Sequence, residues 1–188
     1  MQEHREELVR LDTAIGDGDH GTNMDRGMRK ALEKLDASDQ ADAGAVLKTV
    51  AMALVSSVGG AAGPLYGTLL LQMGNGMAGN DDVDLETYTA AWRKAVEGVQ
   101  ARGKAEPGDK TMVDALLPAL QALEQASDLD SAVRDAASAA ERGMRDTIPL
   151  VARKGRASYL GERSKDHQDP GATSTYSLCQ TAAEALAS

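Results

Sequence analysis

Residues 110–126, KTMVDALLPALQALEQA, set Met112, Leu116, Ala119, Leu120 and Leu123 at i, i+4, i+7, i+8 and i+11, which gathers all five side chains on one face of an α-helix. A half-buried strand would alternate apolar and polar residues, and this stretch does not. Pro118 is the one discordant residue, because proline removes a helical N–H donor. The same period recurs at Val46, Val50, Ala53 and Leu54, and no convincing alternating segment occurs in the chain. Helices are therefore expected over roughly 2–12, 22–35, 43–57, 64–78, 84–102, 110–126, 130–148 and 171–187, with Pro149 ending or kinking the seventh.

Composition agrees with an all-α bundle of about eight helices. The 188 residues include no Phe and only 3 % aromatics, so the core has to rest on Ala, Leu, Val and Met, which suit closely packed helices better than a sheet. That length fits one domain spanning 1–188. The single cysteine, Cys179, excludes an intrachain disulfide and a Cys-rich zinc site. No stretch reaches the ~18 consecutive apolar residues of a membrane span. The start, MQEHREELVR, is charged rather than signal-like, and a cytoplasmic location is expected. A net charge of −9 argues against nucleic acid as a partner, since a polyanion demands a basic face.

Glycine is unevenly spread: many of the 19 fall in the turns 16–21, 59–63, 103–108 and 155–171. In an antiparallel bundle the first, third, fifth and seventh connections lie at one end, and these are the four glycine-bearing turns. The first, LDTAIGDGDHGTNMDRG at 11–27, concentrates charge as well. Asp12, Asp17 and Asp19 offer hard carboxylate oxygens suited to Mg²⁺ or Ca²⁺. A calcium loop of the EF-hand type fails, because counting from Asp17 puts Gly21 at position five and Met28 at position twelve. Mg²⁺ bridging these carboxylates to a phosphate would account for the charge density; ordinary turn and capping chemistry also uses Asp and Gly. Asp25 is a candidate solvated residue of the next helix, and His20 a turn residue, a ligand or a proton-transfer group.

The second turn, VSSVGGAAGPLYG, leads from Ser56 and Ser57 through Gly59 and Gly60 to Pro64 at the start of a helix. Hydroxyls, amides and a helix N-terminus make an anion cradle, and the same residues equally make a plain connection. It is not a Walker A loop, lacking the Gly-Lys-Ser/Thr ending and a preceding strand. The third and fourth turns mix cations with glycine. Thr111 offers a hydroxyl or amide to a nucleotide, or simply caps its helix; Arg153, Lys154, Arg156 and Arg163 offer a phosphate clamp, or a solvated basic loop. Asp169 before Pro170 reads equally well as a cap.

Four segments in order, LDTAIGDGDHGTNMDRGM, SSVGGAAGPLYGT, RGKAEPGDKTMVD and ARKGRASYLGERSKDHQDPGATS, carry a resemblance over nearly the whole chain. It resembles the nucleotide-binding L subunit of dihydroxyacetone kinase, related to the C-terminal nucleotide domain of the ATP-dependent dihydroxyacetone kinases. The resemblance implies an antiparallel helical barrel with its nucleotide site at one end. It implies two Mg²⁺ ions held by Asp12, Asp17 and Asp19 and bridged to the phosphates of ADP or ATP. It further implies that Ser56, Ser57 and Gly60 meet phosphate or the metal shell, that Thr111 and Met112 lie against the nucleotide, and that Arg156, Asp169 and Gly171 close the site. Asp12, Asp17, Asp19 and Arg156 are then the catalytic set.

A standalone chain of this kind resembles the form fed by the phosphotransferase system. There ADP stays bound, a phosphohistidine on an M subunit supplies phosphate, and a K subunit holds dihydroxyacetone; a homodimer is left open. Two departures stand out. Ala62 replaces the Ser of GGASGP, and the chain is expected to lack an upstream helical segment. The alternatives are an ATP-dependent kinase component for another small ketose or polyol, and a noncatalytic nucleotide- or lipid-binding module.

Overall fold

The computed structural model describes residues 1–37, 39–80 and 82–186; residue 187, at the end of the last expected helix, lies outside them. Among the described residues there is no strand. The helices are α1 (Arg5–Ile15), α2 (His20–Asp36), α3 (Ala43–Ser57), α4 (Ala62–Gly76), α5 (Leu85–Gly103), α6 (Val113–Gln125), α7 (Leu129–Asp146) and α8 (Pro170–Leu186). A 3-10 segment, Arg156–Ser164, bends at Gly161 between α7 and α8. The period-based ranges thus find all eight α-helices and miss this one segment, whose short irregular turns carry no 3.6-residue signal.

The chain groups into two compact units, residues 1–22 with 105–188, and residues 23–104. In the first, α6 packs on α7, α7 on α8, and α1 against α8 and the 3-10 segment. Met112, Leu116, Ala119, Leu120 and Leu123 are all buried, together with Ala132, Val133, Ala136, Ala140 and Met144 of α7. Truncating a fully buried leucine such as Leu116 to alanine costs ~2–5 kcal/mol. Pro118 lies inside α6 without ending it. It supplies no N–H to the Asp114 carbonyl, and the backbone of α7 crosses this oxygen at Gly143, where a Cβ would stand only 2.1 Å away. The small residue on α7 and the missing donor on α6 together let the two helices approach closely.

Just before α6, the Thr111 hydroxyl accepts from the Val113 amide at 3.2 Å while the Asp114 carboxylate accepts from the Thr111 amide at 2.7 Å. This reciprocal capping satisfies donors that the helix itself leaves open. Asp114 also accepts from the Gly108 amide at 2.5 Å, which fixes the turn leading into the helix.

In the second unit, α3 packs on α4 and α4 on α5. Tyr66, Leu69, Trp92, Val96 and Val99 are buried with Ala53 and Leu54. Val46 and Val50 are only half-buried. The reason is that α3 is apolar nearly all round, so its helical period does not single out one inner face; Met52 and Val55 stand exposed. Asp42 and Asp84 cap α3 and α5, accepting from the Ala45 amide at 2.7 Å and the Thr87 amide at 2.8 Å. No described helix is long and apolar enough to cross a membrane.

Candidate metal and nucleotide site

Asp12 lies near the C-terminal end of α1, 8 % exposed, and its carboxylate accepts from the backbone amides of Asp19 at 2.8 Å and His20 at 3.1 Å. It therefore sits at the opening turn of α2, where free amides and the helix dipole favour a negative charge. Gly16 makes this arrangement possible. A Cβ there would stand 2.1 Å from Asp12 Oδ1, so any side chain would push the carboxylate aside.

Asp17 and Asp19 are exposed on the same turn, and one carboxylate oxygen from each of Asp12, Asp17 and Asp19 lies within 4.8 Å of the others. Three negative charges this close repel one another and call for a cation. Arg156 Nη2 meets Asp17 Oδ2 at 3.1 Å, but its side chain is 66 % exposed, a setting in which an ion pair contributes ~0–1 kcal/mol. Hard oxygens around a shared point suit Mg²⁺, which takes carboxylates and completes its shell with phosphate and water. The residues present fit that ion.

His20 Nε2 lies 2.8 Å from Ser174 Oγ, and that hydroxyl reaches the Pro170 carbonyl at 3.1 Å. With the hydroxyl proton on Pro170, the serine accepts from the imidazole, which fastens the acidic turn to the first turn of α8. Burial lowers the pKa of the imidazole from its ordinary value, against the opposing pull of Asp12 and Asp19.

The start of α8 carries a further buried carboxylate. Asp169 accepts from the Ala172 amide at 2.7 Å, and its own amide donates to Thr147 Oγ1 at 3.0 Å. Burial pushes its pKa up to about 7, against the pull of its backbone donors. Gly171 brings this end against α6: a Cβ on it would lie 3.4 Å from the Met112 amide nitrogen. Thr111, Met112, Asp169 and Gly171 are thus neighbours. The amide of Thr111 is committed to Asp114, leaving its hydroxyl proton as the donor it can offer outward.

Arg156 is delivered by the connection after α7. Arg153 donates its amide to the Asp109 carbonyl at 3.1 Å, and Ile15, Ala152 and Ala157 form a small apolar cluster with Leu160 packed on it. Asp12, Asp17, Asp19, Thr111, Met112, Arg156, Asp169 and Gly171 accordingly all belong to the first unit.

Ser56, Ser57 and Gly60 belong to the second unit and are arranged differently. Both hydroxyls turn back to the Ala53 carbonyl, at 3.0 Å from Ser56 and 2.6 Å from Ser57. Gly60 is in the left-handed region, φ 66°, with nothing within 4 Å of where a Cβ would stand.

Two residues at these turns escape the sequence reading. Arg26 donates through Nε to the Ser57 carbonyl at 2.9 Å and through Nη2 to Asn23 Oδ1 at 2.6 Å, putting a cation beside the serine turn. Its i, i+3 spacing from Asn23 on α2 was the available signal. Lys110 is 1 % exposed and donates to four carbonyls; no sequence signal marks it, because lysine is almost never fully buried.

Residues 14–184 match the DAK2 domain family. The chain is 48 % identical over 179 residues to the PEP-dependent dihydroxyacetone kinase, ADP-binding subunit DhaL, of Escherichia coli (strain K12), covering 93 % of this chain and 85 % of that one. It is 42 % identical over 187 residues to the PTS-dependent dihydroxyacetone kinase, ADP-binding subunit DhaL, of Lactococcus lactis subsp. lactis (strain IL1403), covering 100 % of this chain and 91 % of that one. The crystal structure of the dihydroxyacetone kinase from C. freundii in complex with AMP-PNP and Mg²⁺ shares the fold, with a TM-score of 0.72 and 23 % identity over 98 % of this chain; the chain spans 31 % of that longer protein. With the domain match running through both units and nearly half its residues shared with a DhaL subunit, the chain belongs to the DAK2-domain family, among the DhaL subunits of dihydroxyacetone kinase.

Proposed function

We propose that this chain is the ADP-binding subunit of a phosphotransferase-system-dependent dihydroxyacetone kinase, a phosphotransferase that works only with partner subunits. The observation that carries the reading is the cluster of Asp12, Asp17 and Asp19, whose carboxylate oxygens lie within 4.8 Å of one another inside the stretch matched by the family. The match from residue 14 to residue 184 supports treating 1–188 as a single nucleotide-binding domain.

When bound, two Mg²⁺ ions would neutralise the nucleotide phosphates and orient them for in-line transfer. Asp12 is held for this task by the amides of Asp19 and His20, so its position is set before any ligand arrives. Asp17 and Asp19 complete the acidic face. Arg156, paired with Asp17, supplies a guanidinium that can turn to phosphate oxygens once a metal takes over the carboxylate. Ser56, Ser57 and Gly60 meet phosphate, Thr111 and Met112 lie along the nucleotide, and Asp169 with Gly171 sets the start of α8 beside Met112. The chain then stands between an M subunit carrying a phosphohistidine and a K subunit holding dihydroxyacetone, in the cytoplasm.

The test is to purify the chain without added nucleotide, denature it and quantify released ADP, while following exchange of labelled ATP into the intact protein. Near-stoichiometric ADP that resists exchange is expected. An empty or rapidly exchanging site would overturn the relay reading in favour of an ATP-using kinase component, and absence of nucleotide binding with Mg²⁺ present would overturn the nucleotide site.

A further inference from the structure

Lys110 is the largest charged side chain in the interior, 1 % exposed, and it sits directly before Thr111 and Met112. Its backbone is in the left-handed region, φ 63°, which a side chain rarely adopts unless its surroundings hold it there. The ammonium donates to the carbonyls of Thr147 at 2.8 Å, Leu150 at 3.0 Å and His167 at 2.5 Å, with Ile148 at 3.3 Å sharing the third shell position. Three protons thus serve four acceptors.

These carbonyls belong to the segments that frame the candidate site. Thr147 and Ile148 directly follow α7, where a positive charge is favoured by the helix dipole. Thr147 Oγ1 accepts from the Asp169 amide at 3.0 Å, and Asp169 in turn caps α8 beside Gly171. Ile148 accepts from the Asp166 amide at 2.8 Å. Leu150 leads toward Ala152 and Arg153, whose amides are fixed by Ser164 Oγ at 2.8 Å and the Asp109 carbonyl at 3.1 Å, and so toward Arg156. One side chain therefore joins the residue before Met112, the capping chain of Asp169 and the approach to Arg156. Asp114, Asp166 and Asp169 supply negative charge around it.

We infer that Lys110 is a positioning residue for the nucleotide: its ammonium, caged by the Thr147, Ile148, Leu150 and His167 carbonyls, sets Thr111–Met112, Asp169–Gly171 and Arg156 in mutual register. The inference rests on the nucleotide reading above. Without the ammonium, the Leu150 and His167 carbonyls lose this donor while the Thr147 and Ile148 carbonyls keep only the Leu150 and Asp166 amides, and the three segments separate even where the helices persist. A lysine that served stability alone would lower the melting temperature and leave the affinity of the folded protein unchanged.

The test compares Mg·ADP affinity by calorimetry in the wild-type chain, Lys110→Met and Lys110→Ala, well below each melting temperature and with helical content checked by circular dichroism. Removing a group that orients ligands typically weakens binding by about 10- to 100-fold, and that loss is expected in both variants. In Lys110→Ala, propylammonium replaces the deleted atoms and is expected to restore affinity as its concentration rises, while tetramethylammonium at equal ionic strength, which has no N–H to donate, is not. Where either variant folds only with propylammonium present, titrating the amine in the folded range reads the same dependence. Wild-type affinity in Lys110→Met, or affinity in folded Lys110→Ala that ignores propylammonium, overturns the inference and leaves the nucleotide reading standing. A wild-type chain that holds no Mg·ADP overturns the nucleotide reading and the inference with it.

Discussion

The turn from Asp12 to His20 and the turn from Ser56 to Gly63 are both short, glycine-rich and placed between helices, yet they are built in opposite ways. The first folds around one of its own carboxylates: Asp12 takes the amides of Asp19 and His20, and Gly16 exists to leave room for it. The second folds its hydroxyls back onto Ala53 and leaves Gly60 in open space. A site proposed to hold multivalent cations arranges its carboxylates in advance, since bare carboxylates held together are costly and have to be braced. A site proposed to receive phosphate needs only a conformation that keeps the backbone clear of obstruction.

The strongest way to break the comparison is Asp12→Ala. It removes a proposed metal ligand and the acceptor of the Asp19 and His20 amides together, and Mg-dependent ADP affinity is expected to fall ~100-fold or more with a loss of ~1–2 kcal/mol in stability. Calorimetry with chemical denaturation measures both. Gly16→Ala tests the bracing alone: all three aspartates remain, but a Cβ 2.1 Å from Asp12 Oδ1 turns the carboxylate away, and a drop of about 10-fold in affinity is expected.

Asp169 sharpens the contrast from a third place, because it is a buried capping carboxylate outside the acidic cluster. Its pKa is raised to about 7 in the folded chain against 3.8 ordinarily, so the folded state keeps a proton that the unfolded state releases. Its contribution is fully present below about pH 4 and is lost as the pH rises toward 7. Denaturation across this range is expected to show a decline that Asp169→Asn flattens. The smallest effect belongs to Gly60→Ala. Nothing crowds the added methyl, so only the left-handed backbone opposes it, at ~1–2 kcal/mol in stability, and a change of a few-fold in ADP affinity would mark phosphate at this turn.

Much of this was legible in the residues. The apolar period located all eight α-helices, and α6 is buried along the face that Met112, Leu116, Ala119, Leu120 and Leu123 define. Pro118 cast doubt on that helix because its consequence is tertiary: the Asp114 carbonyl, to which Pro118 has no N–H to donate, is where Gly143 of α7 crosses, and no local pattern shows a crossing. The acidic cluster was readable because its three carboxylates lie within eight residues of each other. Lys110 was not, since a lysine between Asp109 and Thr111 reads as a solvated turn until the chain returns with Thr147, Leu150 and His167 around it. Likewise the 3-10 segment follows from Gly161 and from packing on Ile15 rather than from any periodicity.

The central claim is that the acidic turn is the metal site through which the chain holds its nucleotide. Isothermal calorimetry of ADP against Mg²⁺ concentration, in the wild-type chain and in Asp17→Ala and Asp19→Ala, tests it most directly, because both side chains are exposed and their loss leaves the helices intact. Steeply Mg-dependent binding in the wild type, weakened in each variant at unchanged helical content, is the expected result. ADP binding of wild-type strength and Mg dependence in both variants would contradict the account.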